Sequence, residues 1–152
     1  MKESKGFIKN IRGSNIDINT NLDLGKLPPQ ALDLEESVLG ALMLEKDALT
    51  NVIDILKPEN FYKDANKEIY QSIIDLFNES EPIDLLTVTS QLKKNGKLEY
   101  VGGSFYVTQL TTRVNSASNI EYHARIILEQ SIKRQLIAVS YTHLTLPTKA
   151  HV

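Results

Sequence analysis

The sequence predicts an all-α fold, and three features of its 152 residues support this. Apolar side chains recur at helical spacings of three and four residues, as in Val38, Leu39, Leu42 and Met43. Polar or proline-containing stretches that can begin and end helices separate these segments. The two-residue alternation of a half-buried strand is nowhere sustained over more than a few residues. We therefore expect a small multi-helix globular bundle.

The first helix is predicted to run from Asp33 to about residue 44. Asp33 is followed three residues later by Glu36, a spacing typical of a capping box. Gly40 lies within this helix, where glycine costs up to about 1 kcal/mol relative to alanine. A close crossing by another helix would explain its presence.

Two further helices follow in the first half of the chain. Asp47 is expected to cap a short second helix, which ends before Pro58 because proline disfavours helical backbone in the preceding residue. The third helix is expected over residues 66–78, where apolar side chains form one wide face.

Cap residues also define the remaining helices. Asp84 is expected to cap a fourth helix, and Gly96 is suited to the left-handed position that ends it. Ser104 is expected to cap a short fifth helix. The last helix is predicted over residues 119–137.

We divide the chain into three parts on the same evidence. Residues 1–30 are expected to be a flexible polar arm. We expect its basic side chains to be simply exposed to solvent, and contact with nucleic acid is the alternative. Residues 31–137 form the predicted domain. Residues 138–152 lose the preceding pattern and look like a translated sequencing-library adapter, so we expect a non-native tail and build no site on it; a genuine, divergent C-terminus is the alternative.

Composition limits the class of protein. The formal net charge of −2 argues against duplex DNA as the main ligand, because such domains normally present a basic face. The absence of cysteine excludes disulfides and thiolate metal sites and fits a reducing cytoplasm. No stretch approaches the roughly 18 consecutive apolar residues of a membrane span.

No catalytic, cofactor-binding or metal-binding residue is predicted. The seven glycines fail the spacing of a phosphate-binding loop. His123 is the only histidine in the predicted domain, and one imidazole cannot make a zinc site. The carboxylates Glu35 and Glu36 are explained by their place in a first helical turn, where the helix dipole favours negative charge.

Two rival functions stay open. The first is a small helix-turn-helix-like nucleic-acid-binding module, for which Lys93, Lys94 and Lys97 form the candidate basic cluster. The second is an enzyme with an unrecognised site. Base stacking by aromatic residues is less favoured than core packing, because the aromatics fall largely on apolar helical faces without interleaved basic residues; they are Phe61, Tyr62, Tyr70, Phe77, Phe105 and Tyr106.

The last predicted helix is apolar on two sides. Ile120, Ala124, Ile127 and Leu128 form one stripe. A second stripe on a different side contains Tyr122, Ile126 and Ile137. A helix that is apolar on two sides is expected to bury both of them. Tyr122, Ile126 and Ile137 are therefore the candidate protein interface. The alternative is that the rest of the same domain covers this second stripe.

The ordered set of motifs resembles the N-terminal domain of DnaB-type replicative DNA helicases over about residues 27–137. Each piece is weak alone, and the order and spacing make the set specific. The matching segments are Pro28-Pro29, Glu36-Ser37-Val38-Leu39-Gly40, Asn60-Phe61-Tyr62, Ile69-Tyr70, Pro82-Ile83-Asp84-Leu85, Leu92 with Gly96, Gly102-Gly103, and Asn119-Ile120-Glu121-Tyr122-His123-Ala124-Arg125-Ile126-Ile127.

The resemblance implies a helical globule followed by the first arm of a helical hairpin. It further implies domains that pair into dimers and build a hexamer, with primase and in some systems a loader as partners. The motor domain, which would bind ATP and magnesium and act on DNA, is expected to lie outside this sequence. We accordingly expect no catalysis by these residues themselves.

Overall fold

The computed structural model describes residues 27–114 and 117–150, with side chains as far as residue 140. Its α-helices are α1 (Leu32–Leu44), α2 (Asp64–Asn78), α3 (Leu85–Lys94), α4 (Leu98–Val101), α5 (Gly103–Thr112) and α6 (Ile120–Ala150). Short 3-10 helices lie at Ala48–Asn51, Pro58–Asn60 and Ala117–Asn119. The described ranges contain no β-strand, which confirms the all-α prediction. The predicted flexible arm falls largely outside the described residues.

Helix α1 is the centre of the bundle. It packs against α2, α5 and α6, and residues 35–43 are buried without interruption. Gly40 makes the contact with α5 possible, because a Cβ atom built there would lie 2.1 Å from the carbonyl oxygen of Leu110. The predicted close helix crossing at Gly40 is therefore confirmed.

The two predicted signals around α3 are also confirmed. The Asp84 side chain accepts a hydrogen bond from the Thr87 amide at 2.8 Å. At the other end Gly96 has a φ of 70°, and the Lys97 amide donates to the Leu92 carbonyl oxygen at 2.8 Å. This pairing of amides with the last carbonyls is a Schellman motif.

Two other predicted caps are wrong. Helix α1 begins at Leu32 with Ala31 as its cap residue, so Asp33 lies inside the first turn. Helix α5 begins at Gly103, and the left-handed φ of 112° at Gly102 breaks the chain without help from Ser104. In both cases the backbone geometry begins the helix, and a side-chain acceptor is not used.

The helical boundaries differ from prediction at two further places. The predicted second helix is only the 3-10 turn Ala48–Asn51, and the Asp47 side chain makes no cap hydrogen bond. Helix α6 continues past residue 137 to Ala150, beyond the end that its apolar spacing predicted. That residues 138–152 are non-native stays a prediction.

The aromatic residues divide between core and surface. Phe61 and Tyr70 are fully buried and their ring centres lie 4.9 Å apart. Phe77 and Phe105 are exposed, which corrects the prediction that the aromatics belong largely to the core. Each lies on a helix whose opposite face reaches the core, so helical spacing alone did not separate the two environments.

Candidate protein-interaction surface

The inner face of α6 attaches this helix to the bundle. Ile120, Ala124 and Ile127 are buried in the core cluster, as their helical spacing predicted. Ser131 continues the same face one turn later and is also buried. Burial of these side chains holds the first half of α6 against α1.

Polar contacts fix the next turn of α6. Ser131 Oγ accepts a hydrogen bond from Asn60 Nδ2 at 3.1 Å. Arg134 donates from Nη1 to the Pro29 carbonyl oxygen and from Nη2 to the Asn60 carbonyl oxygen, both at 2.7 Å. Its guanidinium carbon also lies 5.4 Å from the centre of the Tyr62 ring. Residues 135–140 follow this clamp, and all of them are exposed.

The three predicted interface residues lie on the outer face of α6. Tyr122 is 65% exposed, Ile137 is 56% exposed and Ile126 is partly buried. At about 100° of rotation per residue, the three positions fall within about 60° of one another around the helix axis. The structure thus leaves this stripe open in the described part of the chain. Whether another protein covers it stays a prediction.

The exposed apolar surface of α6 includes more residues than the three predicted ones. Ile132, Leu136 and Val139 are also exposed, and they continue the outer face beside Tyr122. Leu136 and Ile132 were identifiable from helical spacing, once Tyr122 is taken as the reference position. Val139 lies within residues 138–152, the predicted non-native tail.

Charged residues alternate with these apolar residues along the outer face. Arg125 pairs with Glu121 at 2.8 Å, and Lys133 pairs with Glu129 at 3.2 Å. Both pairs are well exposed and separated by four residues, so each adds at most a few tenths of a kcal/mol to helix stability. The result is an apolar stripe with balanced charge along its length.

Glu35 is an important structural residue whose role the sequence did not reveal. Its side chain is 1% exposed, and Oε2 accepts a hydrogen bond from the Tyr62 amide at 2.7 Å. Oε1 accepts from Asn66 Nδ2 at 3.0 Å and from the Lys63 amide at 3.4 Å. Glu35 thereby orders the start of α2 and the loop bearing Tyr62, against which Arg134 packs. The sequence explained Glu35 only by the helix dipole in a first turn, and that explanation does not require the side chain to be buried.

A second polar link joins α5 to this network. Tyr106 donates its hydroxyl hydrogen to Asn66 Oδ1 at 2.7 Å. Burial, with a smaller contribution from the nearby carboxylate of Glu36, raises the pKa of Tyr106 well above its ordinary value. Glu36 itself pairs with Arg113 at the end of α5. The first turn of α1 is therefore connected to both α2 and α5 by polar side chains.

The candidate basic cluster does not form a positive surface. Lys94 Nζ lies 4.0 Å from a Glu79 carboxylate oxygen, and Lys97 Nζ lies 3.6 Å from one of Glu68. Carboxylates thus offset two of the three lysines on which the helix-turn-helix alternative depends. Arg or Lys residues of a DNA-binding helix would instead have to be free to contact base edges or phosphates of the DNA.

One cleft in the described part of the chain contains a histidine. His123 lines a cleft of about 320 Å³ together with Glu36 and Arg113, which already pair with each other. No group of three histidine, cysteine or carboxylate side chains suited to a metal ion occurs within ranges 27–114 and 117–140. Among these same residues, no helix is long and apolar enough to cross a membrane.

The fold and this surface define a class of protein: an all-α domain built around a buried helix, with a long terminal helix open on its outer face. The chain belongs to the family described as the DnaB-like helicase N terminal domain, whose model matches residues 27–129.

Similar proteins agree with this assignment. The chain is 46% identical over 112 residues to the replicative DNA helicase DnaB of Rhodothermus marinus, covering 74% of the chain and 12% of that protein. It is 43% identical over 123 residues to the replicative DNA helicase DnaC of Bacillus subtilis, covering 81% of the chain and 27% of that protein. The chain therefore spans only a small part of the length of these curated relatives.

Solved structures show the same fold. The crystal structure of the N-terminal domain of DnaB helicase from Mycobacterium tuberculosis is similar with a TM-score of 0.76 and 37% identity. The match covers 78% of this chain and 86% of that one. A DnaB-like replicative helicase described with its interactions with primase has a TM-score of 0.67 and 24% identity, covering 76% of this chain and 27% of that one.

Proposed function

We propose that this domain assembles and docks proteins within a hexameric replicative DNA helicase that acts in the cytoplasm. The observation that carries the proposal is the outer face of α6, where Tyr122, Leu136 and Ile137 are more than half exposed. Apolar residues exposed together along one side of a helix favour burial against another protein surface. Membership of the helicase family supports that neighbour being a second copy or a following helical arm.

Primase and a helicase loader are the proposed partners of the assembled domains. Support for primase comes from the fold shared with a DnaB-like helicase described with its interactions with primase. Under this proposal the domain contributes no catalytic group. ATP and magnesium bind to a motor domain elsewhere in the helicase, and DNA is contacted through that domain.

The assembly role can be tested in the full-length helicase that carries this domain. A variant in which both Tyr122 and Ile126 are replaced by glutamate carries two negative charges on the outer face of α6. Tyr122 is exposed on this face and Ile126 is partly buried. We expect sedimentation velocity to show loss of hexamer in favour of smaller species. Leu86→Glu on α3 is the matched control, since Leu86 is 75% exposed and lies outside α6.

Two outcomes of this experiment are decisive. A hexamer that survives the Tyr122 and Ile126 substitutions would remove the assembly role of this face. Equal dissociation by Leu86→Glu would also remove it, because the effect would then not depend on α6.

A further inference from the structure

A groove of about 550 Å³ lies at the C-terminal end of α1, away from the outer face of α6. Leu44, Phe77, Pro82 and Ile83 line it, and Met43 is buried beneath them. Leu44 is 57% exposed and Phe77 is 42% exposed. Large apolar side chains gathered in a concave surface indicate a binding site for apolar groups.

Carboxylates surround this apolar lining. Asp47, Glu81 and Asp84 line the groove and are exposed, and Glu45 adjoins Leu44. Among the residues that line the groove, Lys46 is the single cation. The rim is therefore acidic, and a ligand with positive charges beside apolar side chains would complement it.

The chain contains a segment of that chemistry. Residues 5–12 read Lys-Gly-Phe-Ile-Lys-Asn-Ile-Arg and contain no acidic residue. The apolar members are Phe7, Ile8 and Ile11, and the cations are Lys5, Lys9 and Arg12. This segment precedes residue 27, where the match to the family model begins, so its role is not explained by the shared domain.

We propose that residues 5–12 bind in the acidic groove of the same chain. Phe7, Ile8 and Ile11 cover the exposed faces of Leu44 and Phe77. The three cations face the carboxylates of the rim. The groove is then occupied by the chain itself, and a protein partner of similar chemistry has to displace the segment.

The length of the intervening chain permits this contact. The intervening residues 13–26 are called the spacer; a chain of their length spans at most about 46 Å when fully extended and about 21 Å when relaxed. Helix α1, with 13 residues, is about 20 Å long. Because Leu27 lies shortly before the start of α1 and the groove lies at its end, a chain of the spacer's length is long enough to cover this distance without full extension. Tethering also gives a high effective concentration, which favours binding within one chain.

A spin label on the segment tests the proposal in the full chain. The sequence contains no cysteine, so Asn10→Cys provides a unique attachment site beside the apolar residues. We expect selective broadening of the backbone amide NMR signals of Leu44, Phe77 and Glu81. Broadening spread evenly over the surface would overturn the proposal.

Two variants of the labelled chain separate specific docking from proximity. Phe7→Ser with Ile8→Ser removes apolar side chains from the segment, and the broadening at the groove should be lost. Ile16→Ser with Ile18→Ser is the matched control, because it removes apolar side chains from the spacer and should leave the broadening unchanged. The opposite pattern would contradict the assignment of residues 5–12.

A mixing experiment identifies which chain supplies the segment. Spin-labelled chain without nitrogen-15 is mixed with nitrogen-15 chain without a spin label. The proposal predicts no broadening at the groove in this mixture, whereas broadening there would show that a second copy supplies the segment and would overturn docking within one chain. The result is independent of helicase assembly, since the Tyr122 and Ile126 test reports on a different surface.

Discussion

Glu35 Oε2 accepts a hydrogen bond of 2.7 Å from the backbone amide of Tyr62, which is 27 residues away in the sequence. A carboxylate can accept from several donors at once, and here it also serves Lys63 and Asn66. A buried acceptor in this position ties the first turn of α1 to the loop on which Arg134 of α6 packs. The attachment of the candidate interface helix therefore depends on an interaction distant in sequence.

We expect Glu35→Gln to lower the free energy of unfolding by about 1–3 kcal/mol, as for other buried groups left without a partner. The amide nitrogen of glutamine cannot accept a hydrogen bond. It would face one of the N–H groups that now donate to Glu35, and that donor would lose its acceptor. Urea denaturation measures the change. Glu121→Gln is the matched control, because its exposed ion pair with Arg125 contributes at most about 1 kcal/mol. Equal effects of the two substitutions would contradict the role of Glu35.

Ser80 offers a prediction of increased stability. It has a φ of 58°, and its amide and that of Glu81 donate to the carbonyls of Phe77 and Leu76 at the end of α2. Glycine is favoured at this left-handed position, since other residues lose about 1–2 kcal/mol there. We expect Ser80→Gly to raise the free energy of unfolding by about 1 kcal/mol in thermal or urea denaturation.

A second serine controls for this effect. Ser90 is exposed within α3, where glycine is less favourable than serine, so Ser90→Gly should lower the free energy of unfolding by about 0.5 kcal/mol. The two serine-to-glycine substitutions thus have opposite expected signs. Destabilisation by both would show that the left-handed backbone at Ser80 carries no strain.

Gly40→Ala is expected to destabilise the bundle although alanine is the better helix former. The new Cβ atom would overlap the Leu110 carbonyl oxygen, forcing α1 and α5 apart. Overpacking of this kind costs typically about 1–3 kcal/mol. Ser90→Ala introduces alanine at an exposed helical site and should be neutral or slightly stabilising. A Gly40→Ala protein as stable as Ser90→Ala would show that the crossing is not close.

We expect Tyr106 to lower the free energy of unfolding in alkaline solution. Burial first, and then Glu36, raise its pKa in the folded chain above the unfolded value of about 10. The unfolded chain therefore loses this proton first, so the contribution is complete below about pH 10 and falls as the pH rises toward the folded pKa. Tyr70, whose pKa burial also raises, adds to the same loss.

Removing the Tyr106 hydroxyl should flatten part of this pH dependence. Tyr106→Phe loses the hydrogen bond to Asn66, which costs about 1 kcal/mol at neutral pH. Its free energy of unfolding should nevertheless fall less than that of the parent chain between about pH 9 and about pH 11, the range around the ordinary tyrosine pKa of about 10. Tyr100→Phe, at an exposed position, is the control and should keep the slope of the parent chain. An unchanged slope for Tyr106→Phe would refute the assignment.

The local sequence determined the type of each major helix and some of its ends. Apolar spacing placed the buried faces of α2, α3 and α6, and Asp84 and Gly96 marked the ends of α3, because caps and periodicity act within one or two turns. The same spacing predicted that Tyr122, Ile126 and Ile137 form a stripe separate from the core, and Gly40 indicated a close crossing. These conclusions required only interactions between near neighbours in the chain.

The tertiary structure decided which polar and aromatic residues are buried. Glu35 and Asn66 appear in the sequence as ordinary helical polar residues, and only their partners at Tyr62, Lys63 and Tyr106 explain their burial. Phe77 lies on the same apolar pattern as Ile73, yet it is exposed beside an acidic groove. Local spacing specifies the face of a helix, whereas burial depends on which distant element covers that face and on whether each polar group there finds a partner.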